Sequence, residues 1–384
     1  MWPFGTRVES PPVEARSVSV GDVYGRVPSS LGTGVQASLT LVPLYAATRL
    51  IADQFAASPL QAFREMNGTK QRLDPTPSLV TTPSSVGHTT FTWKYQAITS
   101  ALLRGFACGL ITSTDYTDHA ATVEWLNPDS VTIDDTNPSK PIFRYLGREL
   151  PRDGIVYVPA YIVAGSWKGL SPISAFRTTM ETGHAAQSAT KDWFTNGASP
   201  SGHLKNTMQT LTAKDAAMAK ERFKASIANQ DVLVTGREWD FNQIGVSASD
   251  AQFVETLKLT ATQIASIYGV APELIGGESG ASMTYANVEQ QGIDLLKYTL
   301  RPWFVRFEEA LSSLMPRGQY VKFNADAIVR ADLKTRMDSH AVALSVGVET
   351  QDEARRLEDR PPLTDEQKAE WAATYGKGQS KGQA

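Results

Sequence analysis

The chain has 384 residues, 41% hydrophobic and 20% charged, which is material for two or three compact units and excludes a disordered chain. A net charge of -3 and a pI near 6.0 exclude a broad basic surface that holds phosphates without regard to sequence. The single cysteine, Cys108, excludes an internal disulfide and a thiolate cluster for zinc, and it points to a reducing compartment.

Residues 1–38 are rich in Gly, Pro, Ser and Val without periodicity and read as an arm. The N-terminus MWPFGTRVES has no signal-peptide pattern, and no apolar run approaches the roughly 20 residues that span a bilayer. A soluble, cytoplasmic chain without a membrane partner is the expectation.

Residues 39–170 read as an α+β unit. A helix capped by Thr40 carries Leu44, Ala47, Ile51 and Phe55 on one face and closes at Pro59. A second helix follows Thr90, with Phe91, Tyr95, Ile98 and Leu102 as its stripe. Cys108 lies in the apolar run Leu102 to Ile111 and reads as buried filler rather than a nucleophile. Strands follow at 122–126, 131–134, 142–146 and 155–158, separated by Asn-Pro turns.

Ser171-Pro172 starts a long helix that Asn196-Gly197 stops, so 171–197 is one rod of about 35 Å. Its small middle, Gly183, Ala185, Ala186 and Ala189, admits another helix closely. Residues 198–248 read as an insertion, with a helix after Thr212 and a hairpin of 232–235 with 239–244 around Gly236. A second long helix, 249–269, starts at the capping box of Ser249 and Gln252 and carries Phe253, Leu257, Thr260, Ile264 and Ile267.

Residues 270–324 hold a glycine-rich link, Gly276-Gly277-Glu278-Ser279-Gly280, and a helix from Tyr285 to Leu314 that Pro302 must kink. Short helices occupy 325–363, one stopped at Gly347 and one opened by Thr350 and Glu353. Residues 364–384 read as a polar tail. The class is α+β, mainly helical.

Motifs for chemistry are missing from this sequence. There is no GxxxxGK[ST] to cradle a nucleotide phosphate and no GxSxG elbow, and the five histidines are scattered. Asp134-Asp135 and Glu308-Glu309 could hold Mg²⁺ for nuclease chemistry only if they converged on one point. Neighbouring residues on a helix or strand point apart, so solvated acids are the simpler reading. Lys214, Lys220, Arg222 and Lys224 form a basic stretch that Asp215 and Glu221 dilute. No catalytic residue, metal ligand or cofactor is assigned.

Several strings together carry a resemblance. They are YGVAPELIGGESGASMTYANVEQQ at 268–291, TLRPWFVRFEEALSSL at 299–314, KGLSPISAF at 168–176, WFTNGASPSGHL at 193–204, WLNPDSVTI at 125–133 and VETQDEARRLEDRPPL at 348–363. In them Gly269, Val270, Pro272, Gly276, Asn287, Glu289, Thr299, Leu300, Pro302 and Glu308 hold the places of a recurring pattern. The chain resembles the Hong Kong 97-type portal proteins of tailed bacteriophages from about Leu41 to Leu363. It departs from their pattern at GFACGL and at VPAYIVAGSW.

The resemblance implies a non-enzymatic ring of twelve subunits in the virion, assembled in the host cytoplasm, that conducts double-stranded DNA without sequence readout. It divides the chain into a wing at 39–170, stem helices at 171–197 and 249–269, a clip at 198–248, a tunnel loop and kinked wing helix at 270–324 and a crown at 325–363. Gly276, Gly277, Glu278, Ser279, Gly280, Ser282 and Thr284 would line the tunnel. Lys205, Lys220, Arg222 and Lys224 would be clip contacts. The implied partners are further copies, the terminase large subunit, a head-tail adaptor and a major capsid or scaffold protein. The alternatives are a metal-dependent DNA-processing enzyme and a head-assembly or connector protein without a DNA channel.

Overall fold

Three three-stranded sheets, a two-stranded one and the helices packed on them make up the larger part of the described residues. The computed structural model describes residues 38–66, 68–195, 202–206, 212–228, 239–243, 250–277, 285–325, 333–358 and 360–375. The chain divides into two compact units, Met1–Ala325 and Asp326–Ala384.

Helix α1, Val42–Ala57, buries Leu44, Ala47, Ile51 and Phe55 completely, as their spacing predicts. Its start differs from expectation: Leu41 stands at the cap without a side-chain bond, and Pro43 occupies an early position where the missing N–H costs nothing. At the other end the Lys94 ammonium donates to the Ser58 carbonyl at 2.5 Å. A cation is favoured at a helix C-terminus, yet burial draws the Lys94 pKa down to about 8.

After strands β1, Leu60–Met66, and β2, Thr69–Arg72, comes a one-turn helix α2, Ser78–Thr81. Helix α3, Thr90–Arg104, is capped by Thr89, whose hydroxyl accepts from the Thr92 amide at 3.2 Å. Its stripe is rotated from the expected one. Trp93, Ala97, Ile98, Ala101 and Leu102 are buried, while Phe91 is 44% exposed and stacks on Tyr95 along the flank. The larger ring decides the rotation: Trp93 meets Trp125 at 5.1 Å and donates its indole N–H to the Val123 carbonyl at 2.6 Å.

Gly105, at φ 83°, ends α3 and divides the apolar run that the sequence presents as continuous. Beyond it lies β3, Phe106–Thr114, which periodicity did not reveal. The four anticipated strands follow as β4, Ala120–Trp125, β5, Val131–Asp134, β6, Ile142–Tyr145, and, after the short β7, Arg148–Leu150, β8, Ile155–Pro159. All pairings are antiparallel, in the orders β4-β3-β8 and β5-β6-β7.

Alternate residues of β3 and β8, namely Phe106, Cys108, Leu110, Ile155 and Tyr157, form one core with Val131, Phe143, Tyr145 and Leu150 of the second sheet. Full burial of such side chains stabilises by about 1.5–3 kcal/mol each. Cys108 is 1% exposed and desolvation pushes its thiol up to about 12, so it is filler rather than a nucleophile at neutral pH.

The remaining elements of this unit are α4, Pro172–Ala175, α5, Arg177–Thr195, β9, Gly202–Asn206, α6, Ala213–Ala228, β10, Trp239–Gln243, α7, Asp250–Tyr268, α8, Tyr285–Asp294, α9, Arg301–Ser312, and β11, Gln319–Phe323. Strand β11 pairs with β1 in a third sheet, β11-β1-β2, that the sequence did not announce. The pairing brings Phe323 to Phe55 and Phe304, with ring centroids 4.8 and 4.6 Å away. Phe307 of α9 also meets Phe55, at 4.9 Å.

The second unit holds α10, Leu333–Ser345, α11, Gln351–Leu357, and α12, Asp365–Tyr375. Thr350 and Glu353 form the anticipated capping box with both bonds present. Helix α11 ends before Glu358 rather than at Pro361, and α12 lies in the segment read as a tail; GKGQSKGQA, 376–384, is outside the described residues. His340 contacts Glu349 at 2.9 Å and Glu358 at 3.4 Å, and Arg336 forks onto Glu358. The Glu349 bond, and then the other carboxylate, raise the His340 pKa.

Candidate functional site

The long helix expected over 171–197 is two helices. Ser171 caps α4 by accepting from the Ser174 amide at 3.3 Å, as predicted, but Phe176 leaves helical geometry and α5 starts afresh at Arg177. The 19 residues of α5 span about 28 Å rather than 35 Å. Phe176 faces outward, 45% exposed, while Ile173 and Met180 are buried. The stop at Asn196-Gly197 lies outside the described residues.

Helix α7 starts at Asp250; Ser249, its expected cap, also lies outside the described residues. Thr260 and Ile264 of the predicted stripe are buried, joined by Ala261, Ala265 and Tyr268. The close approach expected from small residues occurs at Gly183 of α5. A Cβ there would stand 2.9 Å from Thr260 and 3.1 Å from the Leu41 side chain. Gly183→Leu is expected to force α5 from α7 and cost about 1–3 kcal/mol, read as a lower midpoint of thermal unfolding. Gly292→Ala on α8, where a methyl meets nothing within 4 Å, is expected to raise the midpoint instead.

Helices α5 and α7 pack against each other, and β9, α6 and β10 lie between them in the chain. Strand β10 pairs with β9, from Trp239 opposite Asn206 to Gln243 opposite Gly202. Strand β10 thus has a partner on the far side of α6; the hairpin expected around Gly236 has its first arm, 232–235, outside the described residues. Thr212 opens α6, accepting from the Asp215 amide at 3.3 Å.

Of the four basic residues expected as clip contacts, the side chains of Lys205 and Lys224 lie outside those described. Lys205 stands in β9 opposite Asp240. Lys220 and Lys224 share one face of α6, and Arg222 stands on the opposite one, since two residues turn a helix by about 200°. Lys220 and Arg222 are exposed.

At its C-terminus α7 gives way at Gly269, φ 66°, to a 3-10 turn over Pro272–Ile275. Gly276, φ 85°, caps that turn, and the Gly277 amide donates to the Pro272 carbonyl at 2.7 Å. A Cβ on Gly277 would meet Pro272 at 2.8 Å. These two glycines therefore belong to a closed turn. Stiffening the link with Gly277→Pro, as the sequence invites, would delete its bond. Glu278, Ser279, Gly280, Ser282 and Thr284 lie outside the described residues.

Pro302 does not break the following helix. A π-helical segment, Leu295–Leu300, joins α8 to α9 and absorbs the missing N–H, with the Arg301 amide reaching back to Leu296. Thr299, buried in this segment, donates its hydroxyl to the Gly269 carbonyl and so satisfies the end of α7.

The paired acids have structural duties. Asp134 accepts from Thr136 and pairs with Arg144, and Asp135 accepts from the Ser166 hydroxyl and the Trp167 amide at 2.8 and 2.9 Å. These bonds, with Thr136 and Ser166 foremost, hold both carboxyls below the usual range. Glu308 accepts from the Phe323 amide at 2.8 Å, fastening β11 to α9. Among the described residues no group of three His, Cys, Asp or Glu side chains is placed to hold a metal, and no helix is long and apolar enough to cross a membrane.

A sheet-built α+β body with two long helices packed together, and two paired strands and a helix between them in the chain, is a phage portal fold. Comparison with known proteins gives the same result. The sequence pattern of the family described as phage portal protein matches residues 43–359. The chain is 27% identical to the probable portal protein of Streptomyces phage phiC31, over 94% of this chain and 85% of that one. The structure of an HK97 family phage portal protein from Corynebacterium diphtheriae is similar with a TM-score of 0.59 at 17% identity, covering 77% of this chain and 96% of the other. A chain from the neck of a native GTA particle computed with C12 symmetry is similar with a TM-score of 0.57 at 21% identity, over 90% and 97%. The chain belongs to the phage portal protein family.

Proposed function

We propose that this chain is one of twelve subunits of a ring at a capsid vertex, whose axis conducts double-stranded DNA during packaging and ejection. The observation that carries the reading is the bareness of α5. Of its side chains described, residues 177–191, only Met180 and Gly183 are buried, and Leu259 on the facing helix α7 is 57% exposed. A helix that buries so little derives scant stability alone, and neighbouring copies around an axis supply the missing contacts.

In this reading the sheets and first helices over 39–170 are the wing, 171–197 and 249–269 the stem, 198–248 the clip, and 325–363 the crown. The turn at Gly276 and Gly277 belongs to the tunnel loop of this reading, whose remainder, 278–284, lies outside the described residues. The clip receives a separate terminase large subunit and, after packaging, a head-tail adaptor; the wing meets capsid or scaffold protein. The chain itself is not an enzyme, in keeping with the missing phosphate-loop motif. A near-neutral charge suits a passage, since a bore rich in phosphate contacts would hold DNA fast.

Negative-stain images of the purified full chain are expected to show annuli with a central opening. Monodisperse monomers at high concentration under every assembly condition would overturn the reading.

A further inference from the structure

An apolar pocket with an unanswered cation lies at one end of the β4-β3-β8 sheet. It has a volume of about 140 Å³ and is walled by Leu102, Ala160, Leu170, Ile267, Tyr268 and Trp303. An apolar void near this size accepts an aromatic ring. The Arg306 guanidinium lies over the Trp303 ring, 5.0 Å from its centre, at the pocket wall. No carboxylate among the described residues pairs with it. The rim is apolar and bare: Tyr161 is 65% exposed and Leu170 47%.

The opposite end of the same sheet carries the complementary feature. Tyr116, at the turn between β3 and β4, is 100% exposed. The turn is nevertheless rigid, because one Asp115 oxygen accepts from the Thr117 amide, the Thr117 hydroxyl and the His119 amide at 2.8, 2.6 and 3.1 Å. Beside it Asp118 stands exposed in the left-handed region, φ 62°, its carboxylate without a partner among the described residues. An aromatic side chain held out on a pre-ordered turn loses little entropy on docking, which is the property of an interface anchor.

The two features cannot meet within one copy. The pocket adjoins the first residue of β3 and Tyr116 follows its last residue by two, so about 30 Å of strand separates them. We propose that the β3–β4 turn of one copy docks in the pocket of the next, with Tyr116 seated against Trp303 and the Asp118 carboxylate on Arg306. The contact is head to tail, the kind that repeats around an axis and closes into a ring. This rests on the ring reading above and names a surface by which neighbours meet.

The test is a cysteine pair, Tyr116→Cys with Leu170→Cys, in the full chain; Cys108, 1% exposed, stays out of the chemistry. Oxidation is expected to give a ladder of covalent multimers on a non-reducing gel from the double variant and none from either single one. Arg306→Glu is expected to raise the concentration for half-assembly about tenfold or more, and adding Asp118→Arg to restore it. Annuli in micrographs of the double-cysteine variant without a ladder, or unchanged assembly of Arg306→Glu, would overturn this contact and leave the ring intact. A wild-type chain that forms no annulus would remove the ring reading and this contact with it.

Discussion

Gly169→Ala is expected to lower stability by about 3 kcal/mol or more, a fall of roughly 4 °C or more in the unfolding midpoint. The 161–170 loop crosses the end of α3 so closely that a Cβ on Gly169 would stand 1.9 Å from the Gly105 carbonyl oxygen and 3.3 Å from the Ala160 nitrogen. Both are backbone atoms, and no side-chain rotation relieves them. The backbone would have to part there, breaking the bond from the Ala160 amide to the Gly105 carbonyl, 2.7 Å, and the Ser171 hydroxyl bond to Leu103. Gly147→Ala is the control. It also lies in a turn, at φ 80°, but with nothing within 4 Å, so it is expected to lose only about 1 kcal/mol. Equal midpoints for the two variants would refute the crowding argument.

Glu124→Ala is the second large effect. Glu124 is fully buried on β4, and one of its oxygens accepts from the Ser84 hydroxyl, the Ser85 amide and hydroxyl and the Val86 amide, at 2.6–3.2 Å. Those donors belong to the segment that leads into the cap of α3, so the carboxylate fixes where that helix begins. Bonds to a charged acceptor contribute about 1.5–3 kcal/mol each, and removal leaves several donors unpaired, so a loss of about 3 kcal/mol is expected. Glu124→Gln keeps an acceptor in place and is expected to lose roughly half as much. Hydrogen exchange at Ser85 and Val86 checks the cause, because only the alanine variant should expose both amides.

Much of the helical framework was legible because its signals are local. Leu44, Ala47, Ile51 and Phe55 repeat at helical spacing, and Ser171 and Thr350 each bond an amide three residues on. The strands 131–134 and 155–158 were bounded by turn residues and recovered within a residue. The family was legible for a different reason: a long run around Gly269, Pro272 and Asn287 resembles a known pattern, although it encodes no chemistry.

Other features left no readable trace in the sequence. Strand β3 was hidden because its buried residues on both faces, Ala107 and Gly109 among them, leave no alternation to detect. The pairing of β10 with β9, across the whole of α6, left no local signal.

By itself the sequence determined where most helices lie, which residues cap them, and that no nucleotide loop or cysteine cluster is present. Those properties depend on neighbours within a few positions. Only the tertiary structure decided the rotation of α3 about Trp93, the pairing of β1 with β11, the π-helical passage over Pro302 and the crossing of Gly169 on Gly105. Each of these depends on atoms that meet only after distant segments pack, and a linear pattern carries no measure of that distance.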